Sequence, residues 1–284
     1  MIYYIKEGQS SIFSKVNIKG NECEISKINK NNKKAERIVK KLKKKNINKI
    51  VISKKLKENQ QMIKQFNNYD ITIFDGKWLM KYLLGEIIEY IGQIQKLQPI
   101  DEIAILSNDL SDEVKNNIIN FSNKYKKIRI VTNHIEKFKK LEQEIYDKYG
   151  VSIIITNNKR KALAKSILII NFDFVQETIN QFNINENAII INLEEKIKIN
   201  KKRYNGLIIT DYGVELDKNK LDLSNLKEIL KKQDEFYLKE ILEERIYTLS
   251  KTQPSFKAFA TIRNIIKENN IKVRQIYGAN GSIS

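Results

Sequence analysis

In 284 residues the chain has one cysteine, one histidine, one tryptophan, two prolines and ten glycines. A single thiol, Cys23, forms no internal disulfide, and one histidine leaves no Cys/His cluster for zinc. That usage fits a reducing, cytoplasmic setting. The opening stretch MIYYIKEGQS lacks a charged region followed by an apolar one, and no run of 18 apolar residues occurs. Neither export nor a membrane-spanning helix is therefore expected. Glycine is absent from the whole stretch between Gly92 and Gly150, which bears on any phosphate-binding loop there.

What is abundant is equally informative. A hydrophobic content of 41% is enough to bury a core in a chain of this length. Lys plus Arg total 52 against 34 Asp plus Glu, a formal charge of +18. Such an excess suits a phosphate backbone or an anionic membrane surface. Lys, Asn and Ile are, however, enriched together along the entire length, as an AT-rich genome produces, so the charge reads first as composition.

The pattern along the chain predicts an α/β protein. IYYIKEG and IFSKVNIKGNECEISKI read as short antiparallel strands, NNKKAERIVKKLKKKN as a helix with Ala35, Ile38, Val39 and Leu42 on one face, and KIVIS as a buried strand. A second helix, KENQQMIKQFNNY, and strand, DITIF, follow, and WLMKYLLGEIIEYIGQIQKL reads as one long helix stopped by Pro99. From there apolar strands (EIAIL, KIRIV, VSIII, SILIIN, NAIIIN, NGLIIT) alternate with amphipathic helices, including a short one over KRKALAK. Strands apolar throughout indicate a parallel sheet covered on both faces. The expected division is an N-terminal α/β domain over 1–98, a Rossmann-like parallel-sheet domain over 99–216, and C-terminal helices over 217–284 that pack on the other domains. The closing YGANGSIS reads as a frayed tail.

The segment from about 101 to 216 resembles the nucleotide-binding half of the shikimate dehydrogenase and glutamyl-tRNA reductase type of two-domain NAD(P)-binding proteins. In that group the second strand commonly ends in Asn-Arg-Thr with a lysine shortly after, which reaches the 2′-phosphate of NADP. The matching stretch is Thr132-Asn133-His134-Ile135-Glu136-Lys137: Asn133 matches, His134 replaces the arginine, and Lys137 or Lys139 supplies the cation. ALAKSILIINFDF is similar to the family's Ala-Asp-Ile-Val-Ile-Asn-Ala-Thr, and NAIIINL to its next strand.

The residues depart from that group where its chemistry sits. A dinucleotide fold needs a glycine-rich first turn so that pyrophosphate reaches the helix N-terminus. Here the turn is SNDLSDE, with Asp109, Asp112 and Glu113 placing negative charge there and Ser111 or Asp109 available as a helix cap. The Asn-x-Thr-x-Pro-x-Lys segment is missing, and Cys23 lies in NECEIS, unlike the reductase nucleophile.

Three sets of residues remain as candidates. The strand ends Ser107, Asn108, Thr132, Asn133, Thr156, Asn157, Asn171, Asn192, Thr210 and Asp211 form a polar rim, either a ligand edge or local turn chemistry. Trp78 reads as a packing anchor between domains. Lys33, Lys34, Arg37, Lys40, Lys41, Lys44 and Lys45 form a basic helix face without interleaved aromatics, either a nucleic-acid footprint or a solvated surface. The preferred reading is a non-catalytic, Rossmann-like cytoplasmic protein without cofactor or metal, binding a small molecule or a protein partner. The alternatives are an NADP-dependent oxidoreductase using Asn133, His134 and Lys137, and a nucleic-acid-binding protein using the basic helix.

Overall fold

A computed structural model describes residues 2–7, 14–18, 21–28, 32–53, 56, 59–95, 100–194, 196–215, 237–250, 255–279 and 281–283. The chain divides into two compact units: residues 1–79 with 213–272, and residues 80–212 with 273–284. These divisions differ from the expected boundaries at 98/99 and 216/217. Pro99, on which the first was placed, and the stretch 216–236 lie outside the described residues.

The first unit holds β1 (Ile2–Glu7), β2 (Ser14–Ile18), β3 (Asn21–Ile28), α1 (Asn32–Lys44), β4 (Lys49–Ile52), α2 (Gln60–Asn68) and β5 (Thr72–Phe74). Its sheet runs β2-β3-β1-β4-β5. The expected antiparallel pairing exists only between β2 and β3. β1 instead lies parallel to both β3 and β4, making it the central strand. Tyr3 and Ile5 of β1 join Ile38, Val39 and Leu42 of α1 and Ile50 and Ile52 of β4 in one core, so helical and strand periodicities meet on the same apolar layer. Asn59 caps α2, its side chain accepting from the Met62 N–H at 3.1 Å.

The expected long helix is two helices, α3 (Lys77–Tyr82) and α4 (Leu84–Gln95), with a bend at Leu83. Leu79, Met80, Tyr82, Leu83 and Leu84 are all buried, a run too continuous for one face of a straight helix. Its later part belongs to the second unit. There the Asn117 side chain donates to the Lys81 carbonyl at 2.9 Å and Lys124 pairs with Glu89 at 2.6 Å.

The second unit contains β6 (Glu102–Leu106), α5 (Asp112–Ser122), β7 (Lys127–Val131), α6 (Ile135–Tyr149), β8 (Ser152–Thr156), β9 (Leu168–Asn171), α7 (Gln176–Ile179), β10 (Ile189–Asn192) and most of β11 (Leu207–Glu215). These six strands are parallel in the spatial order β8-β7-β6-β9-β10-β11. Numbered from β6, that is 3-2-1-4-5-6, the order of a Rossmann fold. β9 and β10 are buried at every residue, as the uniformly apolar runs require.

Val114, Ile118 and Phe121 of α5 and Phe138, Leu141 and Ile145 of α6 are buried. A separate cluster joins Ala104, Leu106, Val131, Ile169 and Ile190 to Ala162, Leu163, Phe182, Ile197 and Ile199, which lie in largely irregular connections. The expected KRKALAK helix is one of these. Asn158 accepts from the N–H groups of Arg160 and Lys161, both at 3.0 Å, and its carbonyl from the Ala162 N–H at 2.9 Å, but this single turn is not continued, because Leu163 pairs with Ile184 in an isolated parallel bridge. Gly206 is required by close approach, because a Cβ there would lie 2.0 Å from the Ala188 carbonyl oxygen.

α8 (Tyr237–Ser250) and α9 (Ser255–Glu268) belong to the first unit. The expected frayed tail is instead ordered: β12 (Lys272–Gly278) and β13 (Gly281–Ile283) form an antiparallel hairpin pairing Ile276 with Ile283, and β12 adjoins β11. Trp78, expected between domains, packs edge-on against Tyr247 inside the first unit at a centroid distance of 5.3 Å.

Candidate functional site

The carboxyl ends of the second unit's strands gather on one edge, the place where ligands of such sheets bind. Thr210 and Asp211 are not part of it, because β11 continues to Glu215 and leaves them within the strand. The remaining rim residues mostly satisfy their own turns. Buried Thr132 accepts from the His134 N–H at 3.0 Å, and Thr156 accepts from Asn158 N–H at 3.1 Å. Asn171, fully buried, accepts from Phe174 N–H at 2.9 Å and donates to the Phe174 carbonyl and to Asn192 Oδ1. These side chains brace strand ends against each other, which accounts for their burial.

The first strand-to-helix turn is the informative part. Its backbone N–H groups converge on a carboxylate supplied by the connection after β9. Asp173 accepts from Asn108 N–H at 2.8 and 2.9 Å and from Asp109 N–H at 2.9 Å, and Ser107 Oγ lies 3.2 Å away. Charge-assisted bonds of this kind are stronger than neutral ones. Ser111 caps α5 by accepting from Val114 N–H, so this loop begins a helix as its sequence indicates. A dinucleotide diphosphate would need the amides that Asp173 occupies, and it would meet Asp109 and Asp112 as well. The residues present do not fit that group.

Asn133, His134 and Lys137 are brought beside this turn. Asn133 N–H donates to Asn108 Oδ1 at 2.9 Å, and Lys137 Nζ stands 3.8 Å from Asp109 Oδ1. His134 occupies the N-cap position of α6, exposed and without a side-chain capping bond. The second cation, Lys139, pairs with Glu136 at 2.7 Å. Both lysines thus face carboxylates of this chain, in exposed pairs that contribute little to stability.

On the basic helix, Arg37, Lys40, Lys41, Lys44 and Lys45 are exposed; the side chains of Lys33 and Lys34 lie outside the described ones. Lys40 pairs with Glu36 at 2.9 Å, and Lys45 Nζ lies 6.0 Å from the Tyr3 ring centroid. Among the described residues no group of three or more His, Cys, Asp or Glu side chains is placed to hold a metal ion, and no helix is long and apolar enough to cross a membrane.

Sequence reasoning missed Asp173. Its signal was present in INFDF, where an acid follows the fourth strand by two residues, opposite a turn already short of glycine.

No family profile matches the chain, and no curated protein matches it. Among solved structures it is similar to an L-tryptophan dehydrogenase from Nostoc punctiforme, with 11% identity, a TM-score of 0.33, and coverage of 88% of this chain and 69% of that one. It is similar to shikimate 5-dehydrogenase from Listeria monocytogenes in complex with shikimate and NAD, at 12% identity and TM-score 0.29, covering 67% and 77%. A minor L-lactate dehydrogenase from Enterococcus mundtii gives 9% identity and TM-score 0.35, covering 66% and 90%. Likenesses at this level carry no argument about activity; the strand order itself establishes a Rossmann-like α/β fold.

Proposed function

We propose that the chain is a non-catalytic, Rossmann-like cytoplasmic protein that binds a small ligand or a protein partner without a dinucleotide in the turn after β6. The observation carrying this reading is the seat of Asp173 on the Asn108 and Asp109 amides, the donors a diphosphate would require. Calorimetric titration with NAD and NADP tests it. No heat of binding is expected up to about 1 mM, the upper end of ordinary substrate constants. A micromolar dissociation constant would overturn it.

The second reading is an NADP-dependent oxidoreductase, with Asn133, His134 and Lys137 as the cofactor contacts. Its support is their place beside the turn after β6, where Asn133 N–H donates to Asn108 Oδ1 and Lys137 Nζ stands 3.8 Å from Asp109 Oδ1. The third is nucleic-acid binding through Arg37, Lys40, Lys41, Lys44 and Lys45, supported by their shared exposure. Under that reading, charge reversal of Lys40, Lys41 and Lys44 flattens the salt dependence of affinity by about one unit for each phosphate no longer neutralised.

A further inference from the structure

Among the described residues four strands lie at sheet edges, and they are not alike. β5 and β13 have three residues each, and β2 carries Lys15. β8 has five residues, Ser-Ile-Ile-Ile-Thr, with no charge, proline or glycine. Short length and charge are the usual means by which an edge strand is kept from pairing with another chain. β8 has neither.

The register shows which of its backbone groups are open. Thr132 N–H donates to the Thr156 carbonyl, so Thr156 turns its backbone toward β7. With a two-residue alternation, Ile154 does the same, and Ile153 and Ile155 present their N–H and C=O groups outward. The Ile154 side chain, 37% exposed, shares a face with its register partner Arg129, whose guanidinium holds Glu102 at 2.8 Å. By the same alternation Ile167, 46% exposed, lies on that face too.

The order hydroxyl, Ile, Ile, Ile, hydroxyl reads the same in both directions. Two antiparallel copies of β8 related by a two-fold axis at Ile154 therefore match residue for residue. Ser152 stands opposite Thr156 of the second copy, Ile153 opposite Ile155, and Ile154 opposite itself. The outward backbones of Ile153 and Ile155 then form the hydrogen-bonded pairs, while Ile154 meets its counterpart in the closer, non-hydrogen-bonded position, about 4.5 Å between Cα atoms. A two-fold closes the assembly, whereas a translated pairing would leave it open. From this self-complementarity we propose that the β8 edge is a homodimer seam joining two eight-stranded sheets into one. The proposal is independent of what the carboxyl edge binds.

Sedimentation equilibrium of the full chain tests it at about 50 μM, where a dimer with a micromolar constant is mostly associated. The wild type is expected at twice the chain mass. Ile154→Lys, which sets two like charges across the axis at an already part-exposed position, is expected at the chain mass with an unchanged circular dichroism spectrum. In a Cys23→Ser background, Ile154→Cys is expected to form a disulfide dimer on mild oxidation, and Ser152→Cys alone is not, because its opposite number is Thr156. If Ile154→Lys fails to fold, the cross-linking contrast decides. A monomeric wild type, an Ile154→Lys dimer, or equal cross-linking at positions 152 and 154 would each overturn the proposal.

Discussion

Each unit contains a strand-to-helix turn whose amides close on a carboxylate from a distant segment of the same unit, and the two differ in burial. In the first, Glu243 of α8 is 1% exposed and accepts from the N–H groups of Gly76, Trp78 and Leu79, the last two at 2.8 and 3.3 Å. The chain adapts around it: Gly76 adopts φ of +87°, and a Cβ there would lie 2.8 Å from Lys239 Cε. In the second, Asp173 receives Asn108 and Asp109 at the edge of the sheet, where water reaches it. The donor geometry is shared, yet the consequences differ. A buried carboxylate that gathers amides stabilises a fold, because water does not readily take its place when it is removed. A half-buried one such as Asp173 competes with whatever anion approaches from solvent.

The largest effect should follow from breaking the buried member. Glu243→Ala leaves three amides without their acceptor and is expected to cost roughly 3–5 kcal/mol, read as an earlier urea transition of the first unit. Asp173→Ala is expected to cost about 1–2 kcal/mol, because water replaces the carboxylate at the part-exposed Asn108 and Asp109 amides. Equal losses would show that exposure does not separate the two turns.

A smaller, pH-dependent effect sharpens the contrast inside α8 itself. Burial raises the pKa of Glu244 above its ordinary 4.5, with the Thr248 hydrogen bond and nearby Lys49 opposing. A carboxyl whose folded value is raised stabilises the fold while protonated and loses that contribution as pH rises through the folded value. Glu244→Gln is therefore expected to match the wild type well below pH 4.5 and to be slightly more stable at neutral pH, measured by thermal unfolding at both. An effect of the opposite sign would mean that the lysine pairing outweighs the burial.

Much of the second unit was legible in the sequence. Its strands are short, apolar and separated by amphipathic helices, so local periodicity alone places β6 to β10, α5 and α6. Ser111 marks the start of α5 in the same way, since capping is a bond between near neighbours. The basic face of α1 is similarly a matter of helical spacing.

Other features depend on contacts that periodicity does not encode. Whether β1 pairs parallel or antiparallel with β3 is decided by the path of the chain between them. The tail becomes the hairpin of β12 and β13, with β12 lying beside β11 far back in sequence. No helical or strand periodicity singles out Glu243 or Asp173; the fold brings each onto amides that are 165 and 65 residues away in sequence. The sequence by itself determined the elements and which of their faces are apolar, because those follow from interactions within a few residues. Only the tertiary structure decided strand order and which carboxylate fills which turn, because both require segments remote in the chain to meet.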